Sequence, residues 1–240
     1  MPRIDNGHSP ASDSIRPSTW PWGTLALFLT SVTCGILQHF DKAGKIAELL
    51  GFHFERIRHP FAVAHEQPLP AIIQSVTYVF PHGGWSHLIP NATALFVFGA
   101  MAEKRLGTWR LLILYFASGA IGIICQAFVP PLPTSPVAGA SLAISGLLGA
   151  NLALSCTDRL CSATYRNALV PLEVLAVIGM AAWISVRTPP LHADRATSLL
   201  YHLLPMIVMW LIVRCYLAVS CALKNAANKA VNPSGGTGGS

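Results

Sequence analysis

Charged side chains are scarce in this chain: they make up 11% of its 240 residues, where a soluble domain carries about 25%. With 52% hydrophobic residues and a mean hydropathy of +0.51, that scarcity excludes a large soluble core and indicates a membrane composition. Cysteine is sparse and unpatterned. Cys34, Cys125, Cys156, Cys161, Cys215 and Cys221 form no CxxC pair and mostly lie in or beside apolar runs. They read as small buried hydrophobes, which excludes a disulfide framework and a cysteine zinc site. There is no internal repeat at a fixed period, no soluble domain, and no basic stripe with interleaved aromatics. The net charge of +6 therefore points to anionic headgroups and membrane orientation, not to a nucleic-acid partner.

What is present is a series of apolar runs. Residues 1–19 are polar and expected to be a disordered cytoplasmic N-terminus. A first span follows from about Trp22 to Phe40, with Trp20 and Trp22 suited to the interface. Residues 41–79 mix Lys42, Lys45, Glu48, Glu55, Arg56, Arg58 and Glu66 with apolar residues, and read as a long amphipathic loop with short helices at the interface. Five more spans are expected, at about 85–101, 111–128, 137–155, 172–186 and 198–222. The fold class is thus all-α, a polytopic six-transmembrane-helix bundle over residues 20–223, with a flexible tail at 224–240. With the N-terminus inside, ten of the sixteen Lys and Arg residues fall on the cytoplasmic side. The positive-inside rule then puts both termini in the cytoplasm. Short loops and the lack of a transit peptide favour a bacterial inner membrane.

In that orientation the even-numbered spans run inward and bring polar groups to one depth. His82 and His87 stand at the outer start of the second span, and Asn91 lies one helical turn below His87 on the same face. Ser141 opens the fourth span and His202 lies about one turn into the sixth. At a rise of 1.5 Å per residue, Ser141, His87, Asn91 and His202 all fall about 5–15 Å below the outer surface. Each has a plain reading: a headgroup contact for His82, interhelical glue for His87 and Asn91, a satisfied core histidine for His202. Ser141, Ser145 and Gly149 also form a small-residue stripe that suits close helix packing. Together, however, intramembrane polar groups are costly and by default functional. No acidic residue lies at that depth, and His82 and His87 are spaced i, i+5, which argues against a metal site. The chemistry that fits is acyl transfer by a serine–histidine dyad. His202 would serve as base, and Asn91, His87 and the Ser141 N–H are available to a developing oxyanion.

The run His82-Gly83-Gly84-Trp85-Ser86-His87-Leu88-Ile89-Pro90-Asn91 resembles the His-x4-His-x3-Asn signature of rhomboid intramembrane serine proteases. Glu103-Lys104-Arg105-Leu106-Gly107 resembles their Glu-x-Arg-x-Gly motif, and Gly139-Ala140-Ser141 their nucleophile region. The resemblance implies Ser141 as nucleophile and His202 as base, with His87 and Asn91 on the oxyanion side and His82 nearby. Glu103 and Arg105 would brace the structure. It implies transmembrane protein substrates within the lipid bilayer, cut in or near a single span, and no cofactor or metal.

The chain departs from the family pattern at several positions. Leu142 replaces the glycine after the nucleophile and is expected to crowd the substrate or shift the oxyanion loop. Ile73-Gln74 replaces a Trp-Arg pair, and Pro90 replaces the glycine before Asn91. Tyr201, Pro205 and Met209 stand where small residues and glycines are expected around the base, and should hold the fourth and sixth spans apart unless Ser145, Gly146 and Gly149 compensate. These departures define the alternative, a pseudoprotease that binds transmembrane clients without cutting them. A transporter would need paired broken helices and internal symmetry, which the spans lack.

Overall fold

The computed structural model of the chain describes residues 20–55, 69–155, 175, 179 and 195–231. These form helices α1 (Trp22–Phe40), α2 (Lys45–Leu50), α3 (Ala71–Thr77), α4 (Trp85–Leu106), α5 (Thr108–Ala127), α6 (Ser141–Ser155) and α7 (Arg195–Val231). Among the described residues the one extended pairing is an isolated antiparallel bridge between Phe52 and Val137. The all-helical membrane reading therefore stands. The expected fifth span lies outside the described residues apart from Leu175 and Gly179, as do Arg56, Arg58 and Glu66 of the first loop.

By length and composition, Trp22–Phe40, Thr108–Ala127 and Leu199–Leu223 are long and apolar enough to cross a membrane. Helix α4 has 22 residues, about 33 Å at 1.5 Å per residue, but His87, Asn91 and Glu103 dilute its hydropathy. Helix α6 is only 15 residues long and apolar on every side, the pattern of a helix enclosed by protein. It is the centre of the bundle, packed against α4, α5 and most extensively α7. Helix α1 lies on α4 and α5, and α3 on α5. Helix α7 continues to Val231, so the tail expected from residue 224 begins within a helix.

Small residues set the spacing around α6. Gly122 of α5 receives the Leu142 side chain, and a Cβ on Gly146 would press on Ser118 and on Met209. A Cβ on Gly149 would overlap the Met206 carbonyl, so α7 approaches α6 backbone to side-chain notch. The helix separation expected from Tyr201 and Met209 does not occur, because Gly146 and Gly149 absorb it.

Exposed aromatics mark two rims. Trp20, Trp22 and Trp109 stand exposed at one end with Lys104 and Arg110 nearby in sequence, while Phe40, Trp85 and Phe128, with the aliphatic Ile72, stand exposed at the other. The start of α6 lies at the second rim.

Candidate active site at the N-terminal end of α6

The glycine pair Gly83-Gly84 turns the chain into α4, with Gly84 at φ 109°. His82 sits just before this turn and is buried. Its backbone N–H donates to Gln38 Oε1 of α1 at 2.7 Å. Its ring Nδ1 lies 2.8 Å from the Phe80 carbonyl, which only an N–H can satisfy, so Nδ1 carries the proton and Nε2 is the acceptor. That Nε2 receives the Ala140 N–H at 3.4 Å. Burial, then the neighbouring His87 ring, lower the His82 pKa from 6.5 to about 4, against the pull of the Phe80 bond. The ring is therefore neutral at pH 7, in the tautomer that holds Ala140.

His87 lies edge-on to His82, with ring centroids 5.2 Å apart at 70°. Its Nδ1 accepts the Gly83 N–H at 3.4 Å, which leaves Nε2–H as a donor. The ring packs against Gly139, where a Cβ would stand 2.6 Å from Cε1 and 2.9 Å from Nε2. Gly139 also has φ 125°, so both the backbone conformation and the space demand glycine there. Asn91, one turn deeper, is buried, and its Nδ2 has no hydrogen-bond partner among the described residues. A buried amide donor without a partner is costly, and the buried hydroxyls of Ser31 and Tyr115, away from this group in sequence, share that condition among the described residues.

The backbone leading into Ser141 is pinned from three directions. Phe52 and Val137 exchange hydrogen bonds of 2.9 and 2.8 Å. The Gly139 N–H donates to the Tyr78 carbonyl at 2.8 Å, and His82 holds Ala140. Ser141 is the first residue of α6, and Ser145 Oγ donates to its carbonyl at 2.8 Å. The next side chain, Leu142, is 4% exposed and seated on Gly122 of α5. It points into the bundle, so the expected crowding of the substrate is corrected: successive helical residues point about 100° apart.

His202 is half-buried in α7. Its level follows from its neighbours. The Tyr201 hydroxyl lies 3.1 Å from the Val129 carbonyl and 2.7 Å from that of Pro131, in the segment between α5 and α6. Met206 meets Gly149, two helical turns below Ser141. Helices α6 and α7 thus run parallel, and His202 lies between these two anchor points, on the Ser141 half of α6.

Glu103 and Arg105 lie at the opposite rim and do not join this group. The Glu103 carboxylate accepts from Gly23 N–H and Thr24 N–H at 2.8 Å each, Thr24 Oγ at 2.7 Å and Thr108 Oγ at 2.6 Å. It caps the start of α1 from α4, in the place of a local N-cap residue. Arg105 donates to the Asn151 carbonyl at 3.3 Å, tying α4 to α6. Among the described residues no three His, Cys, Asp or Glu side chains gather to hold a metal ion. Gln38, Phe52, Tyr78 and Tyr201 also support the site, a role the sequence alone does not assign them. Their contacts span 41 to 85 residues of sequence or run through backbone groups, and only the lone Gln38 in an apolar run carries a local signal.

The chain is similar to known proteins. The family model of the Rhomboid domain matches residues 70–220. The chain is 40% identical over 77 residues to "Putative rhomboid protease YdcA" of Bacillus subtilis (strain 168), covering 32% of this chain and 38% of that protein. It is 38% identical over 84 residues to rhomboid protease GluP of the same strain, covering 35% of this chain and 16% of that one. With rhomboid-like protein 11, chloroplastic, of Arabidopsis thaliana it shares 28% identity over 137 residues, covering 57% and 44%. The chain therefore spans less than half the length of each of these relatives.

Proposed function

The chain belongs to the rhomboid family, whose domain runs through residues 70–220, and from that premise we propose that it is an intramembrane serine endopeptidase that cuts single-span membrane proteins in or near their transmembrane segment. The observation that carries this reading is the meeting of the Gly139–Ala140 backbone, just before Ser141, with His82 and His87, one helical turn above a buried Asn91 amide that has no hydrogen-bond partner among the described residues. A donor left waiting in a buried site is what a transient oxyanion requires.

The chemistry follows from the groups available. His202 takes the Ser141 hydroxyl proton as the oxygen attacks the scissile carbonyl, forming a C–O bond and an oxyanion. Asn91 Nδ2–H, His87 Nε2–H and the Ser141 backbone N–H donate to that oxyanion. The Ala140 N–H is not a fourth donor, since His82 accepts it. The imidazolium then gives its proton to the leaving amine as the C–N bond breaks. Water, deprotonated by His202, hydrolyses the acyl-enzyme and restores Ser141. Substrates would carry helix-destabilising residues near the cut, because an intact helix keeps its carbonyls bonded internally.

The chain is an integral membrane protein. We place the Ser141 rim outward and both termini in the cytoplasm, on the distribution of Lys and Arg, and propose a bacterial inner membrane, on the short loops between the spans. The non-cutting alternative rested on Leu142, Tyr201, Pro205 and Met209. Leu142 is buried away on Gly122, Met209 is accommodated by Gly146, and Tyr201 reaches the Val129–Pro131 carbonyls, which leaves it only Pro205. The two readings separate on labelling of the purified protein by a serine-reactive phosphonate. Labelling that disappears in Ser141→Ala and in His202→Ala supports a competent dyad. A wild-type protein that stays unlabelled contradicts it.

A further inference from the structure

Two features of α7 that depart from the family pattern meet at one turn. Pro205 has no N–H to give the carbonyl four residues before it, which is that of Tyr201. The turn that carries His202 is therefore missing a helical hydrogen bond. The same Tyr201 is buried, and its hydroxyl reaches the Val129 and Pro131 carbonyls at 3.1 and 2.7 Å. One O–H shared between two carbonyls on either side of Pro130 ties the outer end of α7 to the segment that leads into Ser141. Below this, the Met206 carbonyl rests in the notch of Gly149. His202 lies between the two contacts. A helix fixed at one point can still rotate and slide, whereas a helix fixed at two points a turn apart cannot.

We propose that Tyr201 is a positioning residue for His202: its hydroxyl latch to Val129 and Pro131 sets the rotation and depth of the turn that Pro205 weakens, and so aims the base at Ser141. The proposal rests on the Ser141–His202 reading given above. It assigns a role to a tyrosine that stands where a small residue was expected. Misplacement of a catalytic group by about 1 Å costs about a hundredfold in rate, so removing the latch should lower kcat about ten- to a hundredfold while leaving KM within about twofold. Adding Pro205→Ala should restore much of the loss, because it returns the missing helical bond.

The test has two readouts. In the first, Ser141→Cys/His202→Cys is built on a chain in which exposed Cys215 and Cys221 are replaced by serine. It is then treated with the short bifunctional thiol reagent dibromobimane, with and without Tyr201→Phe. Efficient bridging that falls in Tyr201→Phe and recovers in Tyr201→Phe/Pro205→Ala is the expected result. Equal bridging with and without Tyr201→Phe overturns the latch alone. No bridging in either background overturns the dyad and the latch together. In the second, cleavage of a single-span reporter is followed against substrate concentration. The latch requires Tyr201→Phe to lower kcat with KM preserved, and Tyr201→Phe/Pro205→Ala to recover it. Unchanged kcat, or a fall in kcat with a matching rise in KM, overturns it.

Discussion

One carboxylate organises the rim opposite the site. Glu103 accepts hydrogen bonds from Gly23, Thr24 and Thr108, so its loss leaves buried donors of α1 unmet. Glu103→Ala should destabilise the protein by about 3 kcal/mol, seen as a lower midpoint in detergent unfolding; an unchanged midpoint would refute the capping role. At the other rim, His82 acts through its neutral ring. Its pKa is lowered from 6.5 to about 4. Above 6.5 the folded and unfolded chains both carry the neutral ring and the full contribution is present. Between 6.5 and about 4 the unfolded chain binds a proton that the folded chain refuses, so stability falls across this window and levels off below it. His82→Gln should flatten that acid slope in thermal midpoints measured against pH, and equal slopes in the two proteins would contradict the assignment.

At the scale of the helices, the packing of α6 decides what its residues can do. Leu142 fills the Gly122 notch of α5. Leu142→Ala should therefore cost about 2 kcal/mol, the low end for a buried leucine because lipid rather than water is the alternative surrounding. It should not raise the activity of the folded protein. A faster enzyme would revive the crowding read from the sequence. The start of α4 was legible because His82, His87 and Asn91 are close in sequence, and one helical period places the last two on a face. The apolar runs that became α1, α5 and α7 were legible from hydropathy. The direction of Leu142 and the contacts of Tyr201 were not, since the rotation of a helix about its axis is decided by distant partners such as Gly122 and the Val129–Pro131 carbonyls. Nor was the length of α7, whose continuation to Val231 passes through Lys224 and Lys229, residues compatible with helix but not with an apolar span.

For the whole molecule, the two rims of exposed aromatics lie about one bilayer thickness apart along helices of 19 to 22 residues. The Ser141 end of α6 is at the rim of Phe40, Ile72 and Trp85. With that rim outward, a membrane-impermeant maleimide should label Lys42→Cys from the outer face and Trp109→Cys only from the cytoplasmic face. The reverse pattern would invert the topology. On the proposed orientation, the Gly139–Ser141 backbone, His87, Asn91 and the His202 turn would lie beneath the outer headgroups, where a substrate span in the membrane could reach them. The most direct measurement is cleavage of a single-span reporter by the purified protein in liposomes, compared with Ser141→Ala and His202→Ala. Product formation by the wild type that falls to background in both variants is the predicted result. Cleavage that persists in either variant, with the protein folded, would contradict the account.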